Sequence, residues 1–266
     1  MRDWLGIAGK VVIVTGGSSG IGKSIVTSLL AEGVKVANFD IAASDHEAEN
    51  FLSLTVDITS RQAVEEAVQL VIAQFDTIDG LVNNAGINIP RLLVDKQEPL
   101  GQYELSDEVF DKIVAINQKG LYLMSQAVGR VLVAKKAGVI VNMSSESGLE
   151  GSEGQSAYAA TKAAVNSFTR SWAKELGKSQ VRVVGIAPGI MEETGLRTSA
   201  YEEALAYTRG ITVDELRAGY SKTSTIPLGR SGRLSEVADL VCYYLSERSS
   251  YITGITTNVA GGKTRG

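Results

Sequence analysis

The sequence predicts an α/β fold: a doubly wound parallel sheet with helices on both faces. Three observations lead there. Short β-branched runs recur along the chain, helix-period segments separate them, and a glycine cluster stands directly after the first run. No internal repeat, low-complexity tract or linker breaks the pattern, so residues 1–266 read as a single domain.

The first strand candidate is VVIV at 11–14, a continuous apolar run of the kind buried on both faces. Residues 34–39 are the second and 51–56 a weaker third. Residues 81–82 with their flanks are the fourth, 139–143 the fifth, 181–186 the sixth and 255–259 the seventh. Between them, Val64, Ala67, Val68, Val71, Ile72 and Phe75 follow the i, i+3, i+4, i+7 rule of a helix face. Thr59 and Gln62 precede that stretch with capping-box spacing. Ser106-Asp107-Glu108 opens another helix, with acids where the helix dipole favours them. Residues 155–174 hold no proline and read as helix. Ser235-Glu236 opens a late helix with Val237, Leu240, Val241 and Tyr244 as its apolar stripe. Two segments depart from the rhythm. Residues 88–105 mix polar and apolar residues around Pro90 and Pro99. Residues 188–227 separate the sixth strand from the last helix, and a connection that long is usually functional. It holds helical patterns at 201–208 and 213–220, so it reads as a substrate lid.

Composition narrows the function classes. The 266 residues are 44% hydrophobic and 21% charged, ordinary for a globular protein. The net charge is -4 and no stretch gathers Lys and Arg, which argues against a nucleic-acid platform or a polybasic membrane patch. Cys242 is the only cysteine, so the chain can form no internal disulfide and no cysteine-based metal site. No run approaches the length of a membrane span, and 11–14 is too short for a signal sequence. The expectation is a cytoplasmic protein without metal.

The glycine cluster is Thr15-Gly16-Gly17-Ser18-Ser19-Gly20-Ile21-Gly22. Glycines let a backbone turn tightly and approach a pyrophosphate, which the following helix N-terminus then favours electrostatically. The spacing is Gly-x-x-x-Gly-x-Gly, not the Gly-x-Gly-x-x-Gly of the common dinucleotide fingerprint. Asp40 ends the second strand, where a carboxylate can accept from adenosine ribose hydroxyls. A 2′-phosphate at ~4 Å from it would be repelled by about 4 kcal/mol at an effective dielectric near 20. No Arg or Lys in the loop or just after Asp40 compensates, so NAD is favoured over NADP. Asp57, after the third strand, suits either a helix cap or a cofactor contact. Asn83-Asn84-Ala85-Gly86, after the fourth, suits either a structural turn or the cofactor crevice.

Tyr158 and Lys162 sit four apart in the proline-free helix and so share a face. A phenol titrates near 10, and a neighbouring ammonium should pull it down toward use as a base. Ser145 ends the fifth strand, thirteen residues earlier, and carboxyl ends of strands line the ligand crevice in such sheets. Its hydroxyl can hydrogen-bond a reacting oxygen while Tyr158 exchanges the proton.

With these residues together, the chain resembles the short-chain dehydrogenase/reductase family. The resemblance runs from the Thr15–Gly22 loop through Asn83–Gly86, Ser145, Tyr158-x-x-x-Lys162 and Pro188-Gly189. It implies a seven-stranded Rossmann-type sheet, a homotetramer, and hydride transfer between NAD and an alcohol or ketone. It implies a catalytic tetrad of Asn117, Ser145, Tyr158 and Lys162, with Asn117 holding a water that connects to the lysine. Cofactor contacts carry over to Gly16, Ser18, Ser19, Gly20, Ile21, Asp40, Asp57, Ile58, Asn84, Ala85, Gly86, Pro188, Gly189 and Thr194, besides Tyr158 and Lys162. Two positions depart from the family. Thr194 comes six residues past Pro188 where the family's threonine comes five past, and Ala260 stands where an aspartate is frequent.

A closer resemblance, in residues 144–155, 192–198, 205–212 and 261–266, is to family members that oxidise a polyol phosphate to a ketose phosphate. A polyol needs many hydrogen-bonding groups, and Glu146, Ser147, Glu150 and Gln155 cluster in sequence around Ser145 and Tyr158. A phosphate needs a cation, for which Arg91, Arg197, Arg209 and Lys222 are candidates, with Arg91 and Arg197 nearest to strand ends. Other sugar alcohols, a 3-oxoacyl thioester, or a non-catalytic NAD sensor are the competing readings. His46 has no metal-binding partner nearby and reads as a solvated loop residue. Cys242, Phe168, Trp172 and Trp4 read as packing residues, and the tail 263–266 as a segment that reaches a neighbouring subunit.

Overall fold

The computed structural model describes residues 4–192, 194, 197–221 and 225–263, without the side chains of residues 220 and 221. The chain runs β1 (Val11–Thr15), α1 (Gly20–Ala31), β2 (Lys35–Asp40), β3 (Phe51–Thr55), α2 (Arg61–Phe75) and β4 (Gly80–Asn83). It continues with α3 (Asp107–Val114), a π-helical turn (Ala115–Gly120), α4 (Leu121–Lys135), β5 (Gly138–Met143), α5 (Ser147–Glu150) and α6 (Ser156–Leu176). Then come β6 (Val181–Pro188), α7 (Ser199–Thr208), α8 (Val213–Ser221), α9 (Leu234–Leu245) and β7 (Thr256–Val259).

Alternation within the apolar runs builds two cores. Val12 and Val14 of β1 join Val36, Val82, Val141 and Ile186 on one face, covered by Ile25 and Leu29 of α1 and Val237 and Val241 of α9. Val11 and Ile13 join Phe39, Leu81, Ile140 and Val183 on the other, covered by Val64 and Val68 of α2 and Val128 and Leu132 of α4. Each such side chain contributes about 1.5–3 kcal/mol by leaving water, which is why these strands carry no polar alternation. All seven strands are parallel, in the order β3-β2-β1-β4-β5-β6-β7. The weaker pattern of 51–56 is explained by its place: β3 is an edge strand and none of its residues is fully buried.

Every predicted strand is present within a residue or two, and the two irregular segments are where the sequence puts them. Residues 88–105 form only isolated bridges, Arg91 with Gln155 and Leu92 with Glu104. Two helix starts differ from expectation. Ser60, not Thr59, caps α2, its hydroxyl accepting from Ala63 N at 3.3 Å. Thr59 is instead drawn to the Asp57 carboxylate, to which its N–H and hydroxyl donate at 2.8 and 2.7 Å. Helix α9 begins one residue before Ser235, with the Glu236 carboxylate accepting from Arg233 N at 2.8 Å. Ser106 caps α3 as predicted.

A row of buried amides crosses the sheet beneath its carboxyl edge. Asn83 and Asn142 are register partners on β4 and β5. Asn83 Nδ2 donates to Ser125 Oγ of α4 and Asn142 Oδ1 at 2.8 and 2.9 Å, and Asn142 Nδ2 donates to Thr169 Oγ1 of α6 at 3.0 Å. Two strands and two helices are thereby locked in one registration. Asn142 is fully buried. Asn142→Ala opens a void and strips two partners, and should lower stability by about 2–4 kcal/mol, read as a reduced urea midpoint.

Candidate active site

The crevice opens where the sheet order reverses, between the carboxyl ends of β1 and β4. The Thr15 hydroxyl ties the two ends together, accepting from Asn84 N and Ala85 N at 3.0 Å each. Asn84 Nδ2 returns to the loop, donating to Thr15 O and Gly16 O at 3.0 Å. The glycine spacing now has its cause. Gly16 and Gly20 have positive φ, 67° and 52°. Gly22 has ordinary φ, but a Cβ there would lie 2.0 Å from Gly16 O. The N-cap Ser19 makes no side-chain cap bond, and the first turn of α1 holds no acid. Backbone N–H groups are left to face an anion. Asp40 closes the same loop, its carboxylate accepting from Ser18 N at 2.9 Å and Ala42 N at 3.0 Å.

These residues line a crevice of about 510 Å3 that extends from Asp40 and Asp57 past Gly86 to Tyr158 and Lys162. A cradle closed to side chains at Gly16 and Gly22, an uncapped helix end and a carboxylate at the second strand fit a dinucleotide. Of the sequence-predicted cofactor residues, Gly16, Ser19, Gly20, Ile21, Asp40, Asp57, Ile58, Asn84, Ala85, Gly86, Pro188 and Thr194 line the crevice, with Tyr158 and Lys162. Ser18 and Gly189 are absent from its wall. The Ser18 hydroxyl turns to Ala42 O at 3.1 Å, and Gly189 is packed against Ala260 and Glu146. Lys112, Ala115 and Ile116 line the crevice without having been singled out. No local pattern marks them, because α3 and the π turn reach the site only through tertiary packing.

The chemical end is buried. Tyr158 is 9% exposed and Lys162 5%. Their spacing on α6 brings the ammonium 5.7 Å from the phenol ring centroid. Lys162 Nζ donates to Met143 O at 2.8 Å, anchoring the helix to the end of β5. Ser145, just beyond that strand, lies beside the Tyr158 hydroxyl, close enough to draw the phenol pKa down. Its Oγ accepts from Ser147 N at 3.2 Å. Asn117 sits in the π turn, a distortion common at functional sites. Its Oδ1 accepts from Ile87 N at 2.8 Å, and its Nδ2 donates to Ile87 O at 2.8 Å and Thr161 Oγ1 at 3.2 Å. Ser145, Tyr158, Lys162 and Asn117 therefore converge, although Asn117 spends its side chain on protein partners.

The electrostatics correct one expectation. Burial pushes the Tyr158 phenol above its ordinary value; the neighbouring Ser145 hydroxyl opposes this, and the charge of Glu146 adds to it. Lys162 does not reverse the effect, since its ammonium is engaged by Met143 O and burial brings its own pKa down to about 8.

The substrate candidates are more scattered. Arg91 is half-buried, its Nη1 donating to Pro90 O at 2.7 Å and its guanidinium 5.7 Å from the Tyr103 ring centroid. Arg197 Nη2 donates to Met191 O at 2.7 Å, and Arg209 is exposed after α7. Lys222 lies outside the described residues. Gln155 is buried, accepting from Asn88 Nδ2 at 3.0 Å and donating to Tyr201 Oη at 3.3 Å, and so joins 88–105 to α7. Ser147 begins α5 beside Ser145. Of the tail, residues 264–266 lie outside the described residues. Lys263 folds back within its own chain and pairs with Glu146 at 2.7 Å. His46 packs edge-on against Phe51 at 5.6 Å instead of standing free. Cys242 is core, its thiol pushed up to about 12 by burial.

Residues 10–205 match the family model described as short chain dehydrogenase. The chain is 62% identical to a sorbitol-6-phosphate 2-dehydrogenase of Klebsiella pneumoniae over the whole of both chains. It is 35% identical to a 3-oxoacyl-[acyl-carrier-protein] reductase of Thermotoga maritima, covering 96% of this chain and 98% of that one. Among solved structures, it is similar to a 3-ketoacyl-(acyl-carrier-protein) reductase from Brucella melitensis complexed with NADH. That likeness has a TM-score of 0.81 and 27% identity, over 97% of this chain and all of the other.

The buried amine makes a pH prediction. Lys162 titrates near 8 in the fold, against about 10.4 when unfolded. Between those values the unfolded chain binds more protons, so stability rises with pH there. Below 8 both states are protonated and the fold bears the whole cost. Lys162→Met removes this dependence. The stability of the variant relative to wild type should fall by roughly 1–3 kcal/mol from pH 7 to pH 10.5, measured by urea denaturation at each pH.

Proposed function

Because the chain belongs to the short chain dehydrogenase family, we propose that it oxidises sorbitol 6-phosphate at C2 to fructose 6-phosphate with NAD, and catalyses the reverse reduction. The observation that carries the chemistry is the buried Tyr158 hydroxyl at the end of the crevice, beside Ser145, with Lys162 buried one helical turn further on. The substrate is supported by the 62% identity, without truncation of either chain, to the Klebsiella pneumoniae enzyme.

When bound, NAD supplies the hydride acceptor and a positive charge that favours the phenolate. The loop from Gly16 to Ile21 would hold its pyrophosphate, and Asp40 its adenosine ribose. Asp57, Ile58, Asn84, Ala85, Gly86, Pro188 and Thr194 would line the rest of its length, with Gly189 backing Pro188 and Lys162 holding the nicotinamide ribose. The Asp40 carboxylate supports NAD over NADP by like-charge repulsion of a 2′-phosphate. The chain's own part is proton handling and orientation. Ser145 and Tyr158 hold the C2 oxygen between their hydroxyls, and Tyr158 takes the C2 hydroxyl proton as the C–H bond breaks. Asn117 fixes Ile87, beside Gly86, against Thr161 of the catalytic helix. With Ser145, Tyr158 and Lys162 it makes the tetrad, and a water beside it links to the lysine.

Residues 188–227 act as a lid over the substrate, within one domain spanning 1–266. Supporting this, Gln155 reaches Tyr201 of α7, and Tyr207 Oη donates to Asp95 Oδ2 at 2.8 Å, so the two irregular segments meet at the substrate end. Arg91, Ser147, Gln155 and Arg197 are the lining groups proposed for the polyol phosphate. No described helix is long and apolar enough to cross a membrane, and the enzyme works in the cytoplasm. A homotetramer is supported by the partly exposed Phe168–Trp172 stack, whose centroids are 4.7 Å apart on α6.

A panel of sugar alcohols and their phosphates, followed by NADH absorbance, tests the substrate. Sorbitol 6-phosphate should be turned over best, and NAD preferred to NADP. Turnover of sorbitol but not its phosphate would discard the phosphate site, and NADPH-dependent reduction of a 3-oxoacyl thioester would replace the reading. Tyr158→Phe should lower turnover by about 10²–10⁴-fold while NAD still binds. Light scattering should give four chains per particle, and a monomer at assay concentration would remove the tetramer.

A further inference from the structure

Residues 88–105 and the lid meet through a pair of tyrosines. Tyr103 stacks on Tyr207 of α7, with ring centroids 4.1 Å apart and planes 25° apart. The Tyr207 hydroxyl donates to Asp95 Oδ2 at 2.8 Å, and Asp95 Oδ1 accepts from Gln97 N at 2.9 Å. Asp95 is buried, so this bond is shielded from water. Leu92 N donates to Tyr103 O and Leu105 N to Leu92 O, at 2.8 Å each, which fixes the Tyr103 backbone. A Cβ on Gly154 would lie 2.2 Å from Thr208 Oγ1, so the end of α7 is pressed against the stretch before α6. Helices α7 and α8 also keep a small core of their own, Leu205, Ala206 and Leu216 with Tyr201 and Val213.

Arg91 stands at the same junction. Ile87 lines the crevice, and four residues on Arg91 N donates to Gly154 O at 2.7 Å and Arg91 bridges to Gln155, three residues before Tyr158. The Arg91 guanidinium lies 5.7 Å from the Tyr103 ring centroid and donates through Nη1 to Pro90 O at 2.7 Å. Those are its partners among the described residues, and neither is an anion. The acids of its own segment are turned elsewhere. Asp95 faces Tyr207 and Gln97, and Glu104 Oε2 accepts from Asp95 N at 2.7 Å. Burial draws the Arg91 pKa below its ordinary value, and Tyr103 opposes this. A half-buried cation without a counter-charge is destabilising, and a bound anion relieves it.

We propose that Arg91 binds the phosphate of the substrate and that Tyr103 is the positioning residue that holds it for this, kept in place by Tyr207 and Asp95. The inference deepens the proposed function and rests on it. The phosphate on C6 is four carbons from the reacting C2, so its anchor must sit apart from Tyr158 on the same wall. The pairing of Arg91 with the start of α6 provides that placement. A guanidinium meets a phosphate through parallel N–H groups, which requires a fixed plane. The Tyr103 ring supports that plane, and its stacking on Tyr207 keeps the ring from turning. The Tyr103 hydroxyl makes no hydrogen bond among the described residues, so its part is played by the ring. The stack is complete only with α7 docked, which ties selection of a phosphorylated polyol to the lid.

The test is steady-state kinetics of the full-length chain with NAD, on sorbitol 6-phosphate and on sorbitol. Arg91→Met should raise KM for the phosphate about 10–100-fold with a much smaller change in kcat, and should lower the preference for the phosphate over sorbitol by a similar factor. Arg91→Lys, which keeps the charge without the fork, should fall between. Tyr103→Leu should raise the same KM about tenfold, and Tyr207→Leu should repeat that defect. Tyr103→Phe, which keeps the ring, should restore the wild-type KM. Inorganic phosphate should compete with sorbitol 6-phosphate in the wild type and compete far more weakly in Arg91→Met. An unchanged KM in Arg91→Met overturns the proposal, and so does an equal loss of kcat on both substrates, which would make Arg91 a structural residue. An unchanged KM in Tyr103→Leu removes the positioning role. A wild type that prefers an unphosphorylated polyol discards sorbitol 6-phosphate and this phosphate site together. A wild type that prefers the phosphate while Arg91→Met behaves like it leaves the proposed function standing and removes only the anchor.

Discussion

The site depends on how closely the carboxyl ends of β1 and β4 are held together. Adjacent parallel strands at a reversal of sheet order send their connections to opposite faces and leave a gap between them. The Thr15 hydroxyl and the Asn84 amide bridge that gap with hydrogen bonds of 3.0 Å. Gly16 and Gly22 are pressed too close for any side chain. The bridge sets the floor of the crevice and turns the start of α1 toward it. The glycine spacing is thus a packing requirement before it is a binding motif.

At the other end of the crevice, burial and hydrogen bonding pull against each other. A phenol and an amine are both withdrawn from water, which disfavours the charged form of each. Ser145 stands beside the phenol, and Met143 O accepts from the amine. Neither partner restores the charged state by itself. The phenol is biased toward its neutral form, while the amine keeps its charge below about pH 8. The charge of Glu146 adds to the bias against the phenolate.

The strands were legible because burial on both faces demands unbroken apolar runs, and 11–14, 139–143 and 181–186 supply them. Tyr158, Lys162 and Ser145 were legible because helix periodicity and strand-end position are local properties. Thr59 was misread as a cap because two adjacent hydroxyls compete there, and Asp57 captures the first. Lys112, Ala115 and Ile116 left no trace in the pattern, since α3 and the π turn face the crevice only after α4 has packed on the sheet.

The amino-acid order by itself determined the α/β alternation, the site of the glycine turn, and the shared face of Tyr158 and Lys162. Each follows from backbone geometry over a few residues. Only the tertiary structure decided which way the phenol is biased, which residues wall the crevice, and that Lys263 returns to Glu146 across 117 positions. Desolvation and long-range pairing depend on what the rest of the chain brings alongside, and no local pattern encodes that.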